Sequence, residues 1–276
     1  MTDSFSYKAL FDLSGKTALV TGASGILGRH FCAGLAEAGA AIALIDIRED
    51  AVQELAAELS SKYGIKALGF VCDVSNPQSV SRMVEQAVGA FGGIDILHNN
   101  AAGKSDDLDA FFAPFEDYSF EQWRQIMAVN LDGMFLVAQG VGKHMVRQGH
   151  GGSIIQTSSI YGLMGPDQRI YEGSHYMGRQ INTPAVYSAS KAGVIGLTQY
   201  LATYWADKGI RVNTIAPGGA ESGQNDEFKR RYSARIPMGR MALAYEIVGA
   251  LLYLASDASS YVTGQTIAVD GGLAAW

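Results

Sequence analysis

The chain has 276 residues, 33 of them glycine, with 48% hydrophobic and only 17% charged side chains. An ordinary globular chain carries about 7% glycine and about 25% charge, so disorder is excluded and ample core is available to one large α/β domain. A net charge of −6, with no basic run, argues against nucleic acid or an anionic membrane as partner.

Residues 1–16 lack the basic start and apolar run of a signal peptide, and no uncharged apolar stretch is long enough to cross a bilayer. A soluble cytoplasmic protein is expected. Cys32 and Cys72 stand far apart outside any disulfide-scaffold context, which suits buried, reduced thiols.

Strand and helix patterns alternate from residue 17. KTALVTG reads as a buried strand, followed by a helix over about residues 25–38. AAIALIDI, KALGFVCDV and IDILHNNAAG read as further strands, with REDAVQELAAELSSKYG and PQSVSRMVEQAVGAFG as the helices between them. A long helix over roughly 119–148 precedes the strand SIIQTSS. A loop of some 25 residues, a helix over about 185–208 and the strand IRVNTIAPG come next. A polar stretch, a helix near 245–256 and the strand QTIAVDGG close the chain. Continuously apolar strands separated by helices imply a doubly wound parallel sheet of about seven strands, with helices on both faces. No linker divides it, so a single domain is expected over residues 1–276, with insertions at about 104–118 and 160–184.

Thr21-Gly22-Ala23-Ser24-Gly25-Ile26-Leu27-Gly28 joins the first strand to the first helix. Glycines there let the backbone turn sharply and approach a phosphate, and the helix N-terminus offers free N–H groups to a pyrophosphate. The strand–turn–helix context supports a dinucleotide site. Asp46 ends the second strand; a carboxylate there accepts from an adenosine ribose and repels a 2′-phosphate, favouring NAD over NADP. Arg48, two positions on, is a candidate to receive such a phosphate, and Asp46 also suits a helix cap.

Several motifs occur in order: the Thr21–Gly28 turn, Asn99-Asn100-Ala101, Ser158-Ser159, Tyr187-Ser188-Ala189-Ser190-Lys191, Pro217-Gly218 and Asp270-Gly271-Gly272. Together they resemble the classical short-chain dehydrogenase/reductase family over about residues 13–273. In one departure, two residues rather than three separate Gly22 from Gly25, a spacing that looks more like the extended subfamily's turn and is also shown by some classical-length sugar-acid oxidoreductases. The resemblance implies NAD contacts from Gly22, Gly25, Ile26, Leu27, Gly28, Asp46, Asp73, Val74, Asn100, Ala101, Tyr187, Lys191, Pro217 and Gly218. It also implies a catalytic set of Asn130, Ser159, Tyr187 and Lys191, with Ser158 as runner-up to Ser159.

Tyr187 and Lys191 stand four apart on a helix and so share a face. A free phenol, with a pKa near 10, is a poor base at neutral pH; an adjacent ammonium is expected to lower that value. Tyr187 can then exchange a proton with a substrate oxygen as hydride moves to or from the nicotinamide. A serine at a strand end can hydrogen-bond the reacting oxygen. In the family the matching asparagine positions a water beside the lysine, a role carried to Asn130. His98 reads as a core histidine, and the five histidines show no metal-ligand spacing, so no catalytic metal is expected.

Ser159 and Tyr187 stand 28 positions apart, longer than the family's usual separation. The surplus, within residues 161–182, offers Arg169, Tyr171, His175 and Arg179 as tentative substrate contacts, the arginines suiting a carboxylate or phosphate. Its glycines suggest mobility. Residues 104–118, with Asp106, Asp107, Phe111 and Phe112, are the candidate opposite wall. Packing of both insertions against a neighbouring subunit is the other reading.

The expected function is an NAD(H)-dependent oxidoreductase interconverting a secondary hydroxyl and a ketone on a polar, sugar-like or sugar-acid-like substrate. A 3-oxoacyl or other small-ketone reductase and a non-catalytic dinucleotide sensor are the alternatives. The helices over 127–145 and 185–205 are apolar around most of their circumference, and the family commonly forms tetramers through the matching helices. A homotetramer is therefore expected.

Overall fold

The computed structural model describes residues 6–105 and 107–276; Asp106 lies outside them. Its first half alternates β1 (Thr17–Thr21), α1 (Ile26–Glu37), β2 (Ala41–Asp46), α2 (Glu49–Tyr63), β3 (Ala67–Val71), α3 (Pro77–Phe91) and β4 (Ile96–Asn99). The second half runs through α4 (Leu108–Phe111), α5 (Phe120–Met127), α6 (Gly133–Gln148) and β5 (Gly152–Thr157). A two-stranded hairpin, β6 (His175–Tyr176) and β7 (Arg179–Gln180), precedes α7 (Ala185–Tyr204). The chain ends with β8 (Ile210–Pro217), α8 (Asp226–Ser233), α9 (Val248–Ala255) and β9 (Thr266–Val269).

The main sheet has seven parallel strands in the order β3-β2-β1-β4-β5-β8-β9. All of β1 and nearly all of β2 and β8 are buried, as continuously apolar strands covered on both faces must be. One face packs Phe31 and Leu35 of α1, Leu55 and Leu59 of α2 and Leu251 and Leu254 of α9 against the sheet. The other packs Met83 of α3, Val137, Val141 and Met145 of α6 and Leu201 of α7. Strand order reverses between β1 and β4, which opens a crevice at their C-terminal ends, where such sheets bind ligands.

The long helix expected over 119–148 is interrupted at Ala128–Asp132 by a wider π-type turn that carries Asn130. The helix expected to reach 208 ends at Tyr204 and is followed by a short tighter turn at Ala206–Lys208. The stretch read only as polar contains α8. Its signals were local: Asn225 accepts from the Phe228 amide as an N-cap, acidic residues open the helix, basic residues close it, and Phe228 and Tyr232 stand four apart on its buried face.

Insertion 160–184 is built rather than loose. Met177 and Gly178 turn the β6–β7 hairpin with positive φ, and the segment docks on α8 through polar contacts and stacked rings. No described helix is long and apolar enough to cross a membrane.

Candidate active site

The turn after β1 is fixed by its glycines. Gly22 has φ +64°, and a Cβ there would lie 2.9 Å from the Ala101 Cα. A Cβ on Gly28 would lie 2.1 Å from the Gly22 carbonyl oxygen, so only glycine lets α1 approach the turn this closely. Gly25 caps α1 in extended conformation and leaves the first amides of the helix open. Thr21 and Asn100 lock this turn to β4: the Asn100 and Ala101 amides donate to Thr21 Oγ1 at 2.9 and 3.0 Å, and Asn100 Nδ2 donates to the Thr21 carbonyl. Asn99, fully buried behind them, accepts from Thr21 Oγ1 and donates to the Met134 carbonyl.

A cavity of about 910 Å3 runs from this turn along the C-terminal ends of the strands. Every residue singled out for NAD lines it: Gly22, Gly25, Ile26, Leu27, Gly28, Asp46, Asp73, Val74, Asn100, Ala101, Tyr187, Lys191, Pro217 and Gly218. Ser159 lines it as well, so residues from β2, β5, α7 and β8 converge with the glycine turn.

At one end Asp46 accepts from the Ser24 amide at 3.0 Å and the Arg48 amide at 3.2 Å. Burial pushes its carboxyl up, but hydrogen bonds from Ser24 and Arg48 and the Arg48 charge outweigh this and hold it below the usual range. Arg48 reaches back to Ser24 Oγ at 2.8 Å, so Ser24, Asp46 and Arg48 form one cluster. Asp46 therefore remains a carboxylate and is not a side-chain cap of α2, which begins at Glu49 without one.

At the other end the two serines separate. Ser158 donates to the Lys191 carbonyl at 2.6 Å and is thereby tied to α7. Ser159 stands by Tyr187, where it favours the phenolate, and accepts from the Tyr161 amide. Geometry thus puts Ser159, not Ser158, beside the phenol.

Lys191 lies on the same face of α7, its Nζ donating to the Thr157 carbonyl at 3.0 Å and standing 5.9 Å from the Tyr187 ring centre. Burial lowers its pKa to about 8. The phenol does not follow the expectation of a lowered pKa: burial raises that of Tyr187, and the Ser159 hydrogen bond offsets only part of this. The reason is that the Lys191 ammonium turns to the Thr157 carbonyl rather than to the phenol oxygen, leaving desolvation as the larger effect.

Asn130 does not line the cavity. It is fully buried on the π-type turn, its Oδ1 accepting the Gly103 amide at 2.8 Å and its Nδ2 without a partner among the described residues. It supports the chain just after β4. His98 is a core histidine: it bonds Thr157 Oγ1 at 2.9 Å, and burial lowers its pKa to about 3.

Of the four tentative substrate contacts, only Tyr171 lines the cavity. Arg169 is bound to Asp167 at 2.7 Å, Arg179 is bound to Asp109, and His175 is exposed with its carbonyl accepting from Asn225. Both arginines are diverted by carboxylates on their own surface, which the sequence placed far away or did not rank as partners. Among the described residues of insertion 104–118 only Lys104 lines the cavity. Phe111 and Phe112 pack instead with Ile126 and Val186, and Asp107 caps α4, so this insertion is not the opposite wall. That wall comes from α8 and its neighbours: Phe228, Tyr232, Met241, Tyr161 and Thr183 were not anticipated. Only the spacing of Phe228 and Tyr232 hinted at them.

The residues present fit a dinucleotide: the cradle admits no side chain at Gly22 or Gly28, the α1 N-terminus is open, and an anionic Asp46 stands one strand away.

Comparison with known proteins agrees with this geometry. The family model described as enoyl-(acyl carrier protein) reductase matches residues 21–274. D-threitol dehydrogenase of Mycolicibacterium smegmatis is 36% identical, over 95% of this chain and 94% of its own. The 2-dehydro-3-deoxy-D-gluconate 5-dehydrogenase of Dickeya dadantii is 36% identical, over 95% and 96%. A gluconate 5-dehydrogenase structure from Burkholderia cenocepacia, in complex with NADP and tartrate, superposes with a TM-score of 0.85 at 35% identity, covering 97% of this chain and 98% of that one. With its sheet, glycine turn and Ser–Tyr–Lys cluster all in one cavity, the chain belongs to the classical short-chain dehydrogenase/reductase family, is an oxidoreductase, and has sugar-type relatives.

Proposed function

We propose that the protein is an NAD(H)-dependent oxidoreductase that interconverts a secondary hydroxyl and a ketone on a polar, sugar-like substrate, with Tyr187 as acid and base. The observation that carries this reading is the placing of Ser159, Tyr187 and buried Lys191 together in the cavity that the glycine turn opens. A binding-only sensor has no use for an acid–base group held in this way.

A bound nicotinamide supplies the acceptor or donor of hydride. Gly22, Gly25 and the α1 N-terminus hold the pyrophosphate, and Asp46 accepts from the adenosine ribose. Lys191 holds the nicotinamide ribose. Ser159 donates to the substrate oxygen, and Tyr187 takes the hydroxyl proton in oxidation or returns it in reduction. Ser159 favours the phenolate against the burial that opposes it. Asn130 holds Gly103, and with it the turn beside the cavity.

Asp46 supports NAD, since its carboxylate would face a 2′-phosphate, and Arg48 is already engaged with Ser24. The NADP bound to the gluconate 5-dehydrogenase relative makes this choice worth direct measurement. Fluorescence titration should give tighter binding of NADH than of NADPH, and Asp46→Ala should narrow the difference; tighter NADPH binding by the unaltered protein overturns the assignment.

Tyr187→Phe should lower kcat by at least about 1,000-fold with NADH affinity retained. Turnover near the unaltered level would remove Tyr187 as the base. Sugar-type relatives support the substrate class, and turnover confined to steroids or acyl thioesters would refute it.

Homotetramer formation through α6 and α7 is part of the same reading. Phe135, Val146, Tyr200 and Tyr204 leave large apolar surface exposed on these helices, which a second copy would cover. A monomeric mass by light scattering would refute it.

A further inference from the structure

Beyond Ser159 and Tyr187 the cavity is walled by rings. Tyr171 and Phe228 stack with centroids 5.5 Å apart, and Phe228 and Tyr232 continue the stack at 5.4 Å, both pairs within 27° of parallel. The phenol oxygens are tied within the protein. Tyr171 bonds Thr183 Oγ1, and Tyr232 accepts the Gly219 amide at 2.7 Å. Burial raises the pKa of both tyrosines, so the wall stays neutral at working pH. It offers ring surface and hydroxyls, which donate and accept, but no fixed charge.

The cations of this region face elsewhere. Arg169 and Arg235 both pair with Asp167, Arg231 pairs with Glu172 and Glu227, and Arg179 pairs with Asp109; none lines the cavity. Among the described residues, three cations line it. Arg48 is held at the Asp46 end, Lys191 is committed to the Thr157 carbonyl, and exposed Lys104 has an interaction of its own. A carboxylate or phosphate brought against the rings would leave water without a compensating charge, whereas hydroxyl groups would find partners.

The geometry points to an uncharged polyol or ketose as the substrate, held on the Tyr171–Phe228–Tyr232 wall, with sugar acids and sugar phosphates rejected. This inference rests on the proposed sugar-type secondary-alcohol activity and narrows it.

The test uses the full chain with NAD and a panel of alditols and ketoses, each beside its matching aldonate and phosphate ester. Initial rates are measured, together with binding of each compound to the NADH-loaded protein by saturation-transfer NMR. The uncharged compound should exceed its charged counterpart in kcat/KM on the order of 100-fold. An aldonate or phosphate ester turned over as well as its uncharged partner overturns the inference while leaving the sugar reading intact. Silence from the whole panel in both measurements overturns both. In a second arm, Phe228→Leu should raise KM for the uncharged substrate about tenfold, more than it lowers kcat, with NADH affinity retained; an unchanged KM overturns the role of the wall.

Discussion

Replacing Lys191 by methionine separates the electrostatics of the site from its chemistry. The residue is 2% exposed, and burial lowers its pKa from 10.5 to about 8. The folded protein therefore releases this proton near pH 8, while the unfolded chain keeps it into the ordinary lysine range. Between those values the unfolded state binds more protons, so this group makes the protein more stable as pH rises. The penalty for the buried charge is fully present below about pH 8 and disappears above the unfolded pKa.

At 1.36 kcal/mol per pH unit, lowering the pKa from 10.5 to about 8 is worth about 3 kcal/mol in full, most of which falls between pH 7 and pH 10. Methionine is of similar length and has no charge, so the variant lacks this dependence, while the lost hydrogen bond to Thr157 is a constant offset once the amine is neutral. Urea unfolding at both pH values should show the unaltered protein gaining on the order of 2 kcal/mol on Lys191→Met as pH rises. A stability difference that stays constant to within about 0.5 kcal/mol would refute the reasoning. Turnover by Lys191→Met should be lost at both pH values, which ties the destabilising charge to function.

The two serines should part company on substitution. Ser159→Ala is expected to lower kcat by about 100-fold or more with little change in stability, whereas Ser158→Ala should cost about 1–2 kcal/mol by removing a buried donor, measured by urea unfolding. Equal kinetic losses would contradict their separation. Gly28→Ala should abolish NADH binding or folding, since its Cβ has only 2.1 Å to the Gly22 carbonyl oxygen; fluorescence titration and circular dichroism distinguish the two, and normal binding would contradict the packing of α1 on the turn. Arg235→Met should loosen insertion 160–184 from α8 by removing a partner of Asp167, seen as faster amide exchange over residues 167–176 with β1 unaffected.

The sequence by itself determined the fold and the cofactor half of the cavity. Strands such as β1 and β2 are apolar throughout because both their faces are covered, and that pattern is visible without coordinates. The glycines at 22 and 28, Asp46, and the Tyr187–Lys191 pair are likewise local: a turn, a strand end and one helical face each place their residues by short-range geometry.

Only tertiary structure decided the substrate half. Arg179 looked available until the fold brought Asp109 beside it across 70 positions of chain. Tyr171 met Phe228 only because insertion 160–184 packs on α8. The choice between Ser158 and Ser159 turned on which hydroxyl faces α7 backbone and which faces the phenol. The protonation balance of Tyr187 depended on burial, which sums over every neighbouring element and has no signature in spacing. Local geometry is written in adjacent residues, whereas charge pairing, desolvation and ring stacking depend on which distant segments meet.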